Sequence, residues 1–560
     1  MSTSNKPMRK LWMTLAGSGM ALLLQAAAFS APAHAQAVLG GKVSSAEEGA
    51  MEGVVVSAKK DGSTITISVV SDDKGHYSFP AARLEPGHYS LKARAAGYDL
   101  EAPAAADVAA GKEASADLKL QKTKNLASQM TNADWLNSMP GTEEQKKFLL
   151  NCVGCHTLER IVRSNHDAEE FLNVFARMSG YYPGSTPERP QKLYGDFLRV
   201  RDRGGDVKEL AEWLASINLS KQEKWNWELK TMPRLTGKST RVVITEYDLP
   251  NRQIQPHDVM RDKEGTLWYS DFGQLYLGKL DPKTGKVTQY PIEEHKKGFP
   301  VGSLNLEIDK DDNVWLGVSY QGEIVKFDKK TEKFQTFPIP KDWDSNGAQL
   351  SHIAVAGTHV DGKVWMKNSD GTFIYRLDLA SNQFENLGAP KDPRNGKKIG
   401  TYGLHSDAQN NIYLLDFGAG NIARIDAKTK MMDVFLTPTP NSHPRRGRVD
   451  PEGRLWFAEY LGEAIGMFDP KTEKIQEWKV PTAWSAPYDA ASGRDGSAWT
   501  GSMLTDRVSR LDIKSGQYTE YPLPRPTNIR RVFVDDTTKP SALWVGSNHG
   551  GSIVKVEPLE

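Results

Sequence analysis

Cysteine is nearly absent from this chain of 560 residues: there are two, both inside the stretch NCVGCHTLER, residues 151–160. So small a number excludes a disulfide-stapled fold, and a zinc finger is excluded because no second Cys or His pair stands at the required spacing. Long apolar runs are also scarce, and none beyond the N-terminus could span a bilayer. Net charge is scarcer still. Lys and Arg total 71 and Asp and Glu 70, a formal charge of +1, which offers no electrostatic basis for binding nucleic acid. With 25% charged and 39% hydrophobic residues the composition is that of an ordinary soluble protein. The length allows roughly three or four domains.

The N-terminus carries a basic segment with Lys6, Arg9 and Lys10, then a stretch rich in Leu and Ala, then APAHA with Ala33 and Ala35 at the positions of an A-x-A cleavage site. This pattern predicts a secretory signal peptide over residues 1–35 and a mature chain starting at Gln36. An uncleaved anchor is the alternative, but Gly17, Ser18, Gly19 and Gln25 interrupt the apolar run. Cleavage would bring the formal charge from +1 to about −2. The expectation is a periplasmic protein with no integral membrane segment after cleavage.

Export sharpens the meaning of the two cysteines. In an oxidising compartment adjacent thiols normally form a disulfide, yet the βαβ pattern of a thioredoxin-like site is missing around Cys152 and Cys155. The remaining reading of Cys-x-x-Cys-His is covalent haem c, with thioethers from Cys152 and Cys155 and His156 as proximal iron ligand. The short spacing suits one helical turn. Thr142 and Gln145 form a capping box opening a helix before the motif. Phe148, Leu149 and Cys152 fall on one face of it. Phe171, Val174, Phe175 and Met178 stripe a second helix, and Leu210, Trp213, Leu214 and Ile217 a third that starts near Asp206. These three helices, and the closing LAEWLASIN, resemble a small class I cytochrome c over about residues 124–220. Met178 is the first choice for the distal iron ligand, since its helix ends at Ser179-Gly180; His166 and Met232 are rivals.

Before this segment, SDDKGHYSFPAARLEPGHYSLKARAAGY alternates apolar and polar residues between turn signals. Through Gly75, Tyr77, Phe79, Leu84, Pro86, Gly87, Tyr89 and Gly97-Tyr98 it resembles the carboxypeptidase regulatory-like domain, a prealbumin-type, carbohydrate-binding-like β-sandwich. The resemblance covers about residues 38–121 and implies an accessory module with no catalysis, so residues 36–123 are assigned to it.

The C-terminal part repeats. Trp268, Trp315, Trp365, Tyr413, Trp456, Trp499 and Trp544 recur in similar contexts at spacings of 47, 50, 48, 43, 43 and 45 residues. Repeats of this length with several short strands describe propeller blades, and seven anchors predict seven blades over residues 241–560, after a linker at 221–240. The last repeat lacks its outermost strand, and VVITEYDLP at residues 242–250 supplies it, closing the ring. The fold class expected is therefore multidomain and mainly β, with a small all-α cytochrome unit between sandwich and propeller.

The repeat LWFAEYLGEAIGMFDP resembles the virginiamycin B lyase (streptogramin lyase) family. That resemblance implies a carbon–oxygen lyase with a histidine base beside acidic residues that hold magnesium. In the family a Pro-His pair precedes the blade Trp and a Glu follows it. Here Pro256-His257 pairs with Asp271, and Glu459 stands in another blade whose His position is Arg445. His257, Asp271, Glu459 and Arg445 are thus the candidate catalytic residues, with a divalent metal as a possible second cofactor. Positions eleven before the anchors gather His257, Tyr402, Arg445 and Tyr488 on one side; positions three after gather Asp271, Asn368, Asp416, Glu459 and Ser502 on the other. HPRRGR and NIRR add Arg446, Arg448, Arg530 and Arg531, either selecting an anion or solvated. Two functions follow: electron transfer by haem c with a periplasmic redox protein or small-molecule donor, or a lyase-like, ligand-binding propeller with an accessory haem domain.

Overall fold

The computed structural model describes residues 37–193, 207–218, 226–345, 347–368 and 373–559. The predicted signal peptide lies outside them. Among the described residues no helix is long and apolar enough to cross a membrane.

Six four-stranded antiparallel sheets and four strands of an eight-stranded one make the seven blades of the propeller. Blade 1 is built from Pro256–Arg261, Leu267–Asp271, Tyr276–Leu280 and Val287–Pro291. The inner strands of blades 2 to 6 are Leu306–Ile308, Leu350–Ala354, Thr401–Ser406, Pro444–Val449 and Pro487–Ser492. Blade 7 takes Ile529–Asp535, Ala542–Ser547 and Ser552–Pro558 from the C-terminus and closes with Val242–Asp248. Those last two strands pair antiparallel from Val242↔Pro558 to Asp248↔Ser552. The expected closure is present.

Each aromatic anchor sits fully inside its blade. The indoles of Trp268, Trp315, Trp456 and Trp544 donate to the carboxylates of Asp262, Asp309, Asp450 and Asp535 in the preceding hairpin, at 2.8–3.0 Å. The first three of these aspartates also accept a turn N–H, from Thr266, Asn313 and Arg454. One Asp therefore folds the turn and satisfies the buried indole, which is why Asp and Trp recur together. Truncating such an anchor to Ala costs about 3–5 kcal/mol.

The N-terminal sandwich is not a separate bead. One of its sheets runs Ile65–Val70, Val55–Lys60, Gly87–Arg94 and Ala104–Val108, and Ile65–Val70 pairs with Val242–Asp248. Sandwich and blade 7 thus form one eight-stranded sheet. The other sheet is built on Ala37–Ser45, flanked by Leu118–Lys122 and His76–Pro80. Lys59–Asp248, Arg83–Glu557 and Arg94–Asp506 ion pairs stitch the seam.

Among the described residues five α-helices follow before the propeller: α1 (Asn132–Ser138), α2 (Glu143–Leu149), α3 (Glu159–Val162), α4 (Ala168–Ser179) and α5 (Val207–Ile217). The capping box of Thr142 and Gln145 opens α2 as expected. Leu210, Trp213, Leu214 and Ile217 of α5 are buried. The stripe on α4 ends sooner than expected: Phe171 is buried, but Met178 is 40% exposed. The helical core is completed by Tyr460, Ala486, Tyr488, Met503 and Leu504 from the propeller, so the helices are a cap on blades 5 and 6. The linker expected at 221–240 is described from residue 226 on, and residues 226–241 form a packed strap. Trp227 meets Trp135 edge-on at 6.1 Å, the Met232 N–H donates to Asp134 at 2.6 Å, and Arg234 pairs with Glu48.

Candidate functional site

The strand register decides which side chains share the channel. Pro256 pairs with Asp271, Thr401 with Asp416, Pro444 with Glu459 and Pro487 with Ser502. The two residue sets that spacing assigned to opposite sides of the anchors therefore lie at one end of the ring, the mouth. Asp271 receives the N–H groups of Gln255 and Gly273, Asp416 those of Gly400 and Gly418, and Ser502 those of Leu504 and Thr505. These residues fold the turns of the mouth. Burial pushes the Asp271 carboxyl up to about 7 against those N–H bonds. Glu459 differs: neither of its buried oxygens has a hydrogen-bond partner, and burial, then the charge of Glu477, pushes it up to about 9.

Registering the inner strands aligns two rings. The outer one carries His257, Leu304, Ser351, Tyr402, Arg445, Tyr488 and Arg530; the next carries Asp258, Asn305, His352, Gly403, Arg446, Asp489 and Arg531. The arginines of HPRRGR and NIRR are thereby sorted. Arg446 makes a two-pronged bond to Asp258 at 2.6 and 2.7 Å, and Arg531 reaches Asp258 at 2.6 Å and Glu307 at 2.8 Å. All three of Asp258, Arg446 and Arg531 are fully buried, so they are the charged axle of the ring rather than solvated groups. Although burial works the other way, the two guanidiniums hold the Asp258 carboxyl well below its ordinary range.

Arg445 lies half-buried above the axle. Four rings face its guanidinium: Tyr488 at 3.9 Å, Tyr460 at 4.5 Å, and Tyr402 and Phe417 at 4.8 Å. Among the described residues no carboxylate pairs with it, and its Nε has no hydrogen-bond partner. Tyr402 and Tyr488 join their hydroxyls by a hydrogen bond. Tyr488 also meets Nε2 of His257 at 3.3 Å, and Nδ1 of His257 lies 2.7 Å from Asp258. Burial drives the His257 imidazole down to about 3 despite Asp258. Lys367 completes the wall. Its ammonium donates to the carbonyls of Thr401 and Tyr402 at 2.6 and 3.1 Å, and burial brings it down to about 7.

The Cys-x-x-Cys-His stretch comes down onto this mouth. The Val153 carbonyl accepts from Asn528 at 3.1 Å, and that of Gly154 from Arg530 at 2.8 Å and His549 at 3.1 Å. Cys152 and Cys155 sit on consecutive turns after α2, with N–H bonds three residues back to Leu149 and Cys152, rather than within a helix. They are not bonded to each other. Nδ1 of His156 bonds the Thr157 carbonyl at 3.0 Å, and burial lowers the basicity of the imidazole. The segment after α4 covers blades 1 and 2: Gln255 donates to the Gly184 carbonyl at 2.6 Å, and Tyr182 meets Phe272 at 5.0 Å, tilted, and Tyr320 edge-on at 5.2 Å. A Cβ on Gly184 would lie 2.3 Å from the Phe272 carbonyl, so the close approach needs glycine.

The two rival iron ligands make contacts of their own. His166 stands over Phe171 at 5.4 Å with Nδ1 3.8 Å from Glu170, and Met232 packs from the strap against the helical core. For a divalent metal, the acidic group whose oxygens converge among the described residues is Asp262, Glu264 and Asp312, at the far end of blade 1 from the mouth. Lys329 pairs with all three of these carboxylates. A cavity of about 550 Å³ lies between sandwich, strap and the rim of blades 6 and 7, where Arg525 pairs with Glu246 and Asp248.

Fold and site together define a capped seven-bladed β-propeller fused edge-on to a β-sandwich. Comparison with known proteins agrees in its two outer parts. Residues 391–559 match the virginiamycin B lyase family and residues 38–121 the carboxypeptidase regulatory-like domain; residues 122–390 lie outside both matches. Oxygen-regulated protein 1 of Homo sapiens is 22% identical over 343 residues, covering 59% of this chain. The chain spans only 14% of the length of that relative. Among solved structures, virginiamycin B lyase from Staphylococcus aureus is 20% identical, with a TM-score of 0.49 over 56% of this chain and 99% of the other. An extracellular domain of a putative one-component system from B. thetaiotaomicron is 17% identical, with a TM-score of 0.42 over 54% of this chain and 40% of the other.

Proposed function

We propose that this chain binds a small organic ligand in the mouth of its propeller, and that the cap over the mouth carries one covalent haem c on Cys152 and Cys155, with His156 as an iron ligand. The observation that carries the ligand site is Arg445, a guanidinium walled by four aromatic rings with no carboxylate of the described chain to neutralise it. Such a cation selects an oxyanion or an oxygen that becomes one. The residues of the cap fit the haem: two thiols and an imidazole share one short stretch, and with Nδ1 bonded to the Thr157 carbonyl, Nε2 of His156 would be the nitrogen left for a metal. Haem c supplies one-electron exchange when bound. Met178, exposed at the end of α4, is the side chain assigned to the distal iron position. On this assignment the mature chain works in the periplasm.

Two chemistries suit the arrangement. A lyase-type elimination is supported by the family match over blades 4 to 7, although Arg445 replaces the histidine that the family would supply. Electron exchange between the mouth ligand, or a periplasmic redox protein, and the haem is supported by the clamp of Asn528, Arg530 and His549 on the Cys-x-x-Cys-His stretch. The deciding measurement is the visible spectrum of matured ferric protein, taken without oxygen while hydroxylated and carbonyl compounds are added. Reduction that disappears in Arg445→Gln makes the protein an oxidoreductase acting at the mouth. Turnover that is equal with oxidised and reduced haem, and lost in Arg445→Gln, makes it a lyase. Failure of any added compound to bind in an Arg445-dependent way refutes the ligand site.

A further inference from the structure

Both chemistries of the mouth require a proton acceptor, and His257 is poorly suited to be one. It is fully buried, and both of its nitrogens are engaged, by Asp258 and by Tyr488. Two phenols stand where the base is needed. The oxygens of Tyr402 from blade 4 and Tyr488 from blade 6 meet in a hydrogen bond, and Arg445 of blade 5 lies against both rings. One hydrogen suffices between two facing hydroxyls, and a cation lacking a carboxylate favours loss of the other.

We propose that Tyr402 and Tyr488 share a single proton as a phenol–phenolate pair with Arg445 as counter-ion, and that this pair takes the proton from a ligand bearing a weakly acidic hydroxyl or an enolisable carbonyl. The proposal rests on the mouth being a ligand site. In the step, the ligand's O–H bond, or the C–H bond beside its carbonyl, breaks and leaves its electron pair on the ligand as an oxyanion. The proton goes to the oxygen of Tyr402, which is half-buried and faces the mouth, while the proton shared by the pair settles on buried Tyr488. Charge is conserved: the anion passes from the pair to the ligand, and Arg445 faces it throughout. Once both phenols are protonated, Tyr488 donates to Nε2 of His257, which Asp258 holds in orientation. His257 is a positioning residue.

The surroundings agree with a shared proton. Facing the pair are the guanidiniums of Arg445, Arg446 and Arg530, the amine of Lys367, the neutral rings of His257 and His352, and the buried acids Asp258 and Asp489. Asp258 is already neutralised by Arg446 and Arg531. Against the effect of burial, the charges of Arg445, Arg530 and Arg446 hold the Tyr488 phenol below its ordinary value. Burial, then Tyr488 itself, holds Tyr402 above it. An easy first ionisation and a difficult second one are the behaviour of a coupled pair.

The test uses full-length, haem-matured protein labelled with ¹³C at the tyrosine ζ carbon, titrated by NMR. A tyrosine signal that ionises at least tenfold more readily than ordinary phenol is expected. It should vanish in Tyr402→Phe and in Tyr488→Phe, and move up toward ordinary phenol in Arg445→Gln. If no tyrosine titrates early, or the early signal survives Tyr488→Phe, the pair is refuted. 4-Nitrophenol, whose colour reports its own proton, then probes the transfer. Bound nitrophenol should be coloured as phenolate at a pH where it is colourless in solution, and lose that colour in Tyr402→Phe while still binding. Nitrophenol bound colourless would overturn the proton transfer. An early tyrosine signal with no nitrophenol binding would instead refute the mouth as a site for acidic hydroxyl ligands and leave the phenol pair standing.

Discussion

Replacing Asp258 by Asn should loosen the whole propeller, because this carboxylate is the hub of the axle. It takes three bonds from Arg446 and Arg531, one each from the Leu306 N–H and the Asn305 amide, and lies 2.7 Å from His257. Arg531 keeps Glu307 and the Leu306 carbonyl in the variant, but Arg446 loses its ion pair in a fully buried position. Breaking a buried pair from one side costs about 3–5 kcal/mol, since the remaining charge is stranded in a medium that solvates it poorly. Unfolding entropy of about 2.1 cal/mol/K per residue, over a ring of about 320 residues, converts that cost to a melting shift of about 4–7 °C. Calorimetry at one fixed scan rate would measure it. Adding Arg446→Met removes the stranded cation, so the double variant should recover part of the loss. The acid dependence has a definite sign. Asp258 is depressed in the fold, so its contribution is present above the unfolded value of 3.8 and is lost as pH falls through the depressed one. The gap between wild type and Asp258→Asn should therefore be full at neutral pH and close in strong acid. A variant melting within about 1 °C of wild type, or a double variant less stable than the single, would refute the axle.

The remaining predictions concern other layers. Glu323 is buried with one oxygen unpartnered, and burial, then Glu293, pushes its carboxyl up to about 8. A raised pKa gives stability present below 4.5 and lost as pH rises through about 8, so Glu323→Gln should flatten a fall of up to about 1.4 kcal/mol per pH unit in denaturant melts. Ile67→Pro breaks the ladder to Val242–Asp248 and Val55–Lys60, and should free the strap at 226–241 to protease; an unchanged digestion pattern would show that the seam does not hold it. Cys152→Ala with Cys155→Ala should leave no covalently bound haem after acid extraction, and haem retained by the double variant would refute those attachment sites. His156→Ala should abolish the low-spin spectrum. Met178→Ala should move it toward high spin and lower the potential, whereas an unchanged spectrum reassigns the distal ligand.

Blade number and ring closure were legible because they depend on local features. In four of the seven repeats an Asp in a hairpin and a Trp in the next strand satisfy one another, whatever lies around them. The cap's placement was not legible. Besides its packing on blades 5 and 6, it is held through backbone carbonyls of Val153 and Gly154 by side chains of blade 7 some 375 residues away, and neither partner has a composition that marks it. The union of sandwich and blade 7 was hidden for the same reason. An edge strand reads identically whether it meets water or another strand, and Ile65–Val70 alternates as any half-buried strand does.

The mouth was legible in part, and its gaps have a mechanical cause. Counting eleven back from an anchor assumes one hairpin length. Met260 pairs with Trp268, His405 with Tyr413 and Arg448 with Trp456, eight residues apart in each case. In blades 3 and 7 the pairs are Ala354 with Trp365 and Phe533 with Trp544, eleven apart. The fixed count therefore found His257, Tyr402, Arg445 and Tyr488 but stepped past Ser351 and Arg530, the members of the same ring in the two longer hairpins. It also hid the second ring, where Asp258 faces Arg446 and Arg531. From the sequence those two arginines read either as anion-selecting or as solvated, because nothing in a pair of adjacent arginines marks a buried partner. What separates Arg445 from Arg446 is the alternation of the strand: one residue directs its cation down onto Asp258, and its neighbour directs an equal cation up among four rings, where only a ligand or the phenol pair can answer it.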